Sequence, residues 1–266
     1  MLPFDAVYNN AFLHAEFFEN AAFSSYNALQ ATVTKRLSYG LFIQGAYTWA
    51  HAIDDASDPL TPTASNQEFP RNSLDLAAER GNSNFDVRQH FVLNYSWDLP
   101  IGRGHNFLPQ GFLGRALGGW QVAGITTFST GLPYDIFTPL DTAHTGEIQR
   151  ADYNPAATPL PVTNPLTQTG PNLGFFSNPP FGQAGNLGRN YFHGPGINDW
   201  DMVLQKTTQI SERMALEFRA EVYNTFNTPE FAQPGNLISN PGTFGQSTAA
   251  VRRVDGTPAP VRFSSA

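Results

Sequence analysis

The chain has no cysteine, so neither a disulfide framework nor thiol chemistry is open to it. It has no apolar run approaching the roughly 18 residues that a membrane-spanning helix needs. That excludes a transmembrane helix but not transmembrane strands, whose segments are only half apolar. Charge is scarce. Asp, Glu, Lys and Arg make up 14% of the chain, against about 25% in ordinary soluble domains. Positive charge is the scarcer kind, with 15 Lys and Arg against 22 Asp and Glu and a net charge of -7, which argues against nucleic acid as a partner. The first residues, "MLPFDAVYNNAFLHAEFF", lack the basic start, apolar stretch and small-residue cleavage site of a signal peptide. Aromatics, by contrast, are abundant: 22 Phe, nine Tyr and four Trp in 266 residues. Mean hydropathy of -0.30 is that of a soluble protein, and the length allows one large domain or two ordinary ones.

The stretch "SSYNALQATVTKRLSYGLFIQGAYTWAHAIDD" (24–55) alternates with period two. Leu29, Ala31 and Val33 alternate with Gln30, Thr32 and Thr34. After a turn at Ser38-Tyr39-Gly40, Leu41, Ile43, Gly45, Tyr47 and Trp49 alternate with Gln44, Ala46 and Thr48, with Phe42 as the exception. Two long strands joined by a tight turn make a hairpin, and strands of about 13 residues exceed the usual five or six. The pattern recurs. Phe91, Leu93, Tyr95 and Trp97 oppose Val92, Asn94 and Ser96. Trp120, Val122, Gly124, Thr126 and Phe128 share a face. Trp200, Met202 and Leu204 oppose Asp201, Val203 and Gln205. In "RMALEFRAEVYNTFN", Met214, Leu216, Phe218, Ala220 and Val222 oppose Glu217, Arg219 and Glu221. Strands are expected near 24–37, 41–55, 85–99, 118–137, 197–210 and 213–227, and "FGQSTAAVRR" predicts a seventh near 244–253.

Connection lengths alternate too. Short or moderate links (38–40, about 100–117, and Ser211-Glu212) follow the first, third and fifth strands. Long links (about 56–84, 138–196 and 228–243) follow the second, fourth and sixth. Segment 138–196 holds nine of the 21 prolines and reads as a long structureless loop, which an ordinary compact domain rarely contains. Short turns at one end and long loops at the other are the signature of an outer-membrane β-barrel. The fold class expected is therefore all-β: a partial, open, about seven-stranded antiparallel transmembrane β-barrel with long extracellular loops. Tyr47, Trp49, Tyr95, Trp97, Trp120 and Trp200, near strand ends, suit the headgroup level. Leu29, Ala31, Val33, Leu41, Ile43, Leu93, Tyr95, Val122, Leu204, Leu216, Phe218 and Val222 are expected on the lipid side. Gln30, Thr32, Gln44, Asn94, Glu217, Arg219 and Glu221 are expected on the lumen side.

The blocks "SSYNALQATVTKRLSYGL", "YTWAHAIDDASD", "NSNFDVRQHFVLNYSWDLPIGRG", "LGGWQVAGITTFSTGLPY", "GNLGRNYFHGPGINDWDMVLQK" and "ISERMALEFRAEVYNTFNTPEF" resemble, in order, the C-terminal barrel of TonB-dependent outer-membrane receptors. The subgroup most similar is the Oar-like receptors common in Acidobacteria, which carry a carboxypeptidase-regulatory-like domain before the plug. The resemblance covers about residues 20–250. It implies a 22-stranded barrel filled by a plug, energised through TonB, that binds and imports an extracellular ligand. On that reading residues 1–266 are a C-terminal barrel fragment, with a divergent tail at 251–266, "VRRVDGTPAPVRFSSA", in place of the family's closing aromatic strand. The partners implied are outer-membrane lipid and lipopolysaccharide, the plug and remaining barrel strands of the parent, TonB through the missing N-terminal region, and an unnamed extracellular ligand. The localisation implied for the parent is the outer membrane. By itself the fragment is expected not to transport.

Candidate chemistry is sparse. His51 with Asp54 and Asp55 could suggest a metal, but no second His lies nearby in sequence, and a polar strand end entering a loop accounts for it. Glu217 and Glu221 flank Arg219 on one face; a ladder of lumen-facing charge explains them better than a glycosidase pair. The Gly-rich stretch 102–119 lacks the Lys-Ser/Thr of a phosphate-binding loop. Asn94-Tyr95-Ser96 matches the glycosylation sequon but falls inside a strand. The chain is expected not to be an enzyme, with no catalytic, cofactor-binding or metal residue and no cofactor. Two other classes stay open: a soluble β-rich module binding glycans through its aromatics, and a secreted β-sheet hydrolase, which would need a convergent acid pair.

Overall fold

The computed structural model describes residues 21–36, 40–57, 70–72, 75–101, 114, 118–162, 164–211 and 213–250. The glycine-rich stretch 102–119 lies mostly outside the described residues, as does the tail 251–266.

The period-two segments form the long strands β1 (Ser24–Arg36), β2 (Leu41–Asp54), β4 (Gln89–Asp98), β5 (Trp120–Ser129), β12 (Ile197–Ser211) and β13 (Met214–Val222). They lie in the order β1-β2-β4-β5-β12-β13, each antiparallel to its neighbour. β3 (Gly81–Asn82) adds a seventh, two-residue strand to the end of β2. The sheet is open: among the described residues, β1 and β13 each pair on one side only. Such edges expose unpaired N–H and C=O groups that call for further strands.

Seven strands were expected and seven are present, but the seventh is a different one. Segment 244–250 makes no strand. Gly245 has φ of 69°, which breaks an extended run. Phe244 bridges Gly235 in parallel, and Gln246 and Ala250 make isolated bridges to Gln168 and Phe231. The fourth long strand also stops early, at Ser129 rather than near 137. Beyond it Pro133, Tyr134, Ile136 and Phe137 turn away from the sheet and are buried elsewhere.

That elsewhere is the second correction. Segment 138–196, expected to be structureless, is ordered at its described residues, 138–162 and 164–196. It contains β7 (Phe137–Thr138), which begins just before it, β8 (Gln149–Arg150), β9 (Asp152–Tyr153), β10 (Phe176–Ser177) and β11 (Phe192–His193). β6 (Pro133–Tyr134) pairs with β11, β7 with β8, and β9 with β10. The largest cluster of buried apolar side chains sits here: Tyr134, Ile136, Ala151, Leu187 and Phe244, flanked by Tyr153, Phe176, Phe192 and Ile238. Rings meet edge-on or tilted at 5.4–5.7 Å, as in Tyr153–Phe192, Phe176–Phe192 and Phe176–Phe244, the geometry aromatic quadrupoles prefer. The apolar core thus lies in the loops. The sheet leaves its own large apolar side chains uncovered, including Leu29 at 60% and Phe218 at 54% exposure.

Candidate functional site

Strand register carries the two faces across the whole sheet. Side chains directly opposite on paired strands share a face. Val33 meets Gly45, Gly45 meets Leu93, Leu93 meets Thr126, and Thr126 meets Trp200. One row down run Ile43, Tyr95, Gly124, Met202 and Val222. Below that come Leu41, Trp97, Val122, Leu204 and Ala220, then Trp120, Lys206 and Phe218. All twelve residues expected to share the apolar face do so. The opposite face carries Gln30, Thr32, Gln44, Asn94, Gln205, Glu217, Arg219 and Glu221, with Phe42, Val92, Ile125 and Val203 among its apolar members.

Two aromatic belts bound the apolar face. Tyr47, Phe91, Phe128 and Trp200 mark the loop end, where Phe91 stacks on Phe128 at 6.3 Å and Phe128 meets Trp200 edge-on at 5.8 Å. Trp97, Trp120 and Phe218 mark the turn end, where Trp120 and Phe218 meet edge-on at 6.4 Å. Along β5 the belts are eight residues apart, about 26 Å of strand at about 3.3 Å per residue. At a strand tilt of about 40° that covers about 20 Å of depth, most of the roughly 25 Å apolar band of an outer-membrane barrel. Two cations stand on this face among the described residues: Lys35, opposite Ile43 on the edge strand β1, and Lys206, in the turn-end belt. The Lys206 amine lies 5.0 Å from the centre of the Trp120 ring and donates to the Gly118 carbonyl at 3.1 Å. The apolar stem stays on the face while the charge reaches the sheet end. Between the belts Gly124 is required by close approach: a Cβ there would stand 2.5 Å from the Tyr95 hydroxyl and 2.6 Å from the Asp201 carbonyl.

At the loop end, side chains from all three long connections (55–88, 130–196 and 223–250) interlock. Asp54, the last residue of β2, pairs with Arg189 at 2.5 Å, both nearly fully buried. Ser57 accepts from Arg189 at 2.8 Å and donates to Asp54 at 2.8 Å. Glu79 accepts from Arg150 at 2.8 Å and from Arg71 at 3.1 Å. Arg150 also approaches Asp135 at 3.6 Å, and Asp135 accepts from the Asn190 amide at 2.6 Å. Asn236 ties in the third connection through the Asp135 carbonyl at 2.8 Å. Burial pushes the Glu79 carboxyl up, but Arg150 and Arg71 outweigh it and hold the group below the usual range. Asp135, wholly enclosed, is pushed up by burial and only partly brought back by Arg150. A third knot joins Asp86, Arg88, His51, Asn82 and His193. Asp86 accepts from Arg88 at 2.6 Å and from the Ala52 amide at 2.7 Å.

The residues singled out from sequence land as follows. His51 faces Arg88 and Asn82, while Asp54 goes to Arg189 and Asp55 accepts from the Phe23 amide. Among the described residues no three His, Asp or Glu side chains converge as a metal set. Glu217 accepts from Gln205 at 2.9 Å, and Glu221 accepts from Arg219 at 2.7 Å and from Tyr223 at 2.6 Å. The two carboxylates are held by separate partners. Asn94 lies mid-strand between Gln44 and Ile125. Sequence reasoning missed Glu79, Asp86, Arg88, Arg150 and Arg189 as individual residues. Asp86, Arg88 and Arg189 nevertheless lie within the blocks "NSNFDVRQ" and "GNLGRNYFH", which carry the resemblance. Two shallow hollows, about 270 Å³ each, are lined by Asp98, Trp120, Gln121 and Gln205 at the turn end and by Tyr26, Thr48, Phe85 and His90 at the loop end. Both fall below the roughly 300–1,000 Å³ of enclosed small-molecule sites.

A family model described as an outer membrane beta barrel domain matches residues 3–255. No curated protein and no solved structure matches the chain.

Proposed function

The chain belongs to the outer membrane beta barrel domain family, and from that premise we propose that it forms part of the wall of a TonB-dependent receptor of the Oar-like kind, whose complete barrel binds and imports an extracellular ligand. Family membership makes it a barrel-type protein of the outer membrane rather than a soluble module. The observation that carries the reading further is the largely apolar face that runs across all six long strands, bounded by aromatic belts, with short or moderate links at one end and an ordered loop layer at the other. The apolar face meets lipid, and the loop layer faces outward beside lipopolysaccharide. The Gln, Thr and Glu face lines a wet lumen that a plug fills in the complete receptor. The edges of β1 and β13 join the remaining strands. TonB, engaging a region before this chain, supplies the energy. The chain is not an enzyme, takes no cofactor and does not transport alone. Nucleic acid is not a partner of so acidic a chain.

Topology is tested with single cysteines, since the chain has none of its own. In intact cells a membrane-impermeant maleimide should label Leu166→Cys, in the loop layer, and reach Ser211→Cys, at a short turn, only after lysis. Equal labelling of both in intact cells would contradict the orientation. The receptor assignment is tested by the flanking DNA: an in-frame plug domain upstream is expected, and a different in-frame domain there would overturn it.

A further inference from the structure

We propose that His51, Asn82, Asp86, Arg88 and His193 form a pH-operated latch that holds the loop layer to the strand ends at neutral pH and releases it on acidification. The inference is independent of what the receptor imports. It begins with one geometry. An Arg88 Nη2 nitrogen lies 2.7 Å from His51 Nε2 and 2.9 Å from the Asn82 side-chain oxygen. Guanidinium nitrogens only donate. At 2.7 Å the His51 Nε2 therefore accepts, which requires neutral imidazole with its proton on Nδ1.

A second arrangement stands ready. His51 Nε2 is already 3.2 Å from the same Asn82 oxygen. Once protonated, Nε2 becomes a donor, takes that oxygen for itself and turns from Arg88's acceptor into a neighbouring cation. Arg88 is then displaced, and its 2.6 Å bond to Asp86 goes with it. Asp86 anchors the segment before β4 to β2 through the Ala52 amide. Asn82 is in turn joined to the loop before β11 by a reciprocal pair: its amide donates to the Asn190 carbonyl at 2.9 Å, and the Asn190 amide donates to the Asn82 carbonyl at 2.7 Å. A shift of Asn82 is thus passed directly to 189–193.

The charged groups around the two histidines are accounted for. Asp86 is 3.9 Å from His193 and favours its charged form, but it is already held by Arg88 and Ala52. Of the other charges at this end of β2, Asp54 and Arg189 are paired with each other and Asp55 accepts from the Phe23 amide. Burial first, then Arg88, then His51 hold His193 below the usual imidazole range, with Asp86 opposing. A histidine whose folded value is depressed contributes stability that is present above about pH 6.5 and lost as pH falls through the folded value. The direction is release in acid.

The test is hydrogen exchange on the full chain in outer-membrane preparations at about pH 7.5 and 5.5, corrected for intrinsic exchange. Protection in 82–88 and 189–193 should fall about tenfold in acid while β12 keeps its own, as local opening allows. His51→Gln with His193→Gln retains an acceptor for Arg88 that does not titrate, so protection should be equal at both pH values. No acid fall in the wild type, or the same fall in the double variant, would overturn the latch. Should that variant loosen the loops at both pH values, histidine NMR on the wild type decides. The latch requires the His51 proton on Nδ1 at neutral pH and loss of protection in step with its protonation. A proton on Nε2 at neutral pH, or protonation with protection unchanged, would refute it.

Discussion

Thr126 sits fully buried on the apolar face, and its hydroxyl has no hydrogen-bond partner among the described residues. A buried hydroxyl without a bond costs free energy that its isostere does not. Thr126→Val should therefore stabilise the folded chain, by about 1 kcal/mol, read from the unfolding midpoint in detergent or bilayers; a loss of stability would show that the hydroxyl has a partner. Arg189 is the converse case. Arg189→Met would leave Asp54 buried without its cation, a change that costs about 3–5 kcal/mol. The loss should show as exchange throughout 54–57 and 185–193 with the long strands intact. Glu79 sets an acid limit. Its folded value is depressed by Arg150 and Arg71 against the pull of burial. Its contribution is thus present above about pH 4.3 and lost as pH falls through the folded value. Asp135, raised by burial, works the other way: its ionised form costs stability, and acid relieves that cost. Glu79→Gln should weaken the loop layer at neutral pH and flatten its decline below about pH 4; a decline as steep as in the wild type would assign the acid limit to another group.

Among the elements, the six long strands were legible because lipid and water impose the same period on each of them. Leu216, Phe218 and Val222 against Glu217, Arg219 and Glu221 needed no partner to be read. The seventh strand was misread because "FGQSTAAVRR" alternates only weakly, and one left-handed residue, Gly245, is enough to divert Phe244 into the loop core. Strand pattern also leaves depth unspecified. Phe218 shares a row with Trp120 and Lys206 at the turn-end belt, whereas Met202 shares the middle row with Gly124. An arginine on the lipid face costs about 2–4 kcal/mol at the midplane and about 0–1 near an interface. Met202→Arg should therefore be the more damaging substitution and Phe218→Arg nearly tolerated, in unfolding from bilayers. Equal costs would mean that the two rows are not at different depths.

At the scale of the whole molecule, the loop layer was the illegible part. Its order rests on pairs such as Asp54–Arg189 and Glu79–Arg150, 135 and 71 residues apart, and no local period announces them. Proline and asparagine content reads as a structureless loop until those long-range bonds are seen. The sheet holds little apolar core of its own, and the loops hold the rest, which is what a wall between lipid and water requires. The central claim is that the two faces of this wall meet different media. It is tested most directly by single cysteines at each position from Trp200 to Gln205 in β12, in the full chain in outer membranes, probed with a water-soluble maleimide and with a lipid-soluble quencher of an attached label. Positions 200, 202 and 204 should be shielded from the maleimide and quenched from lipid, and positions 201, 203 and 205 the reverse. Water access on both faces, or a lipid-quenching profile without period two, would contradict the account.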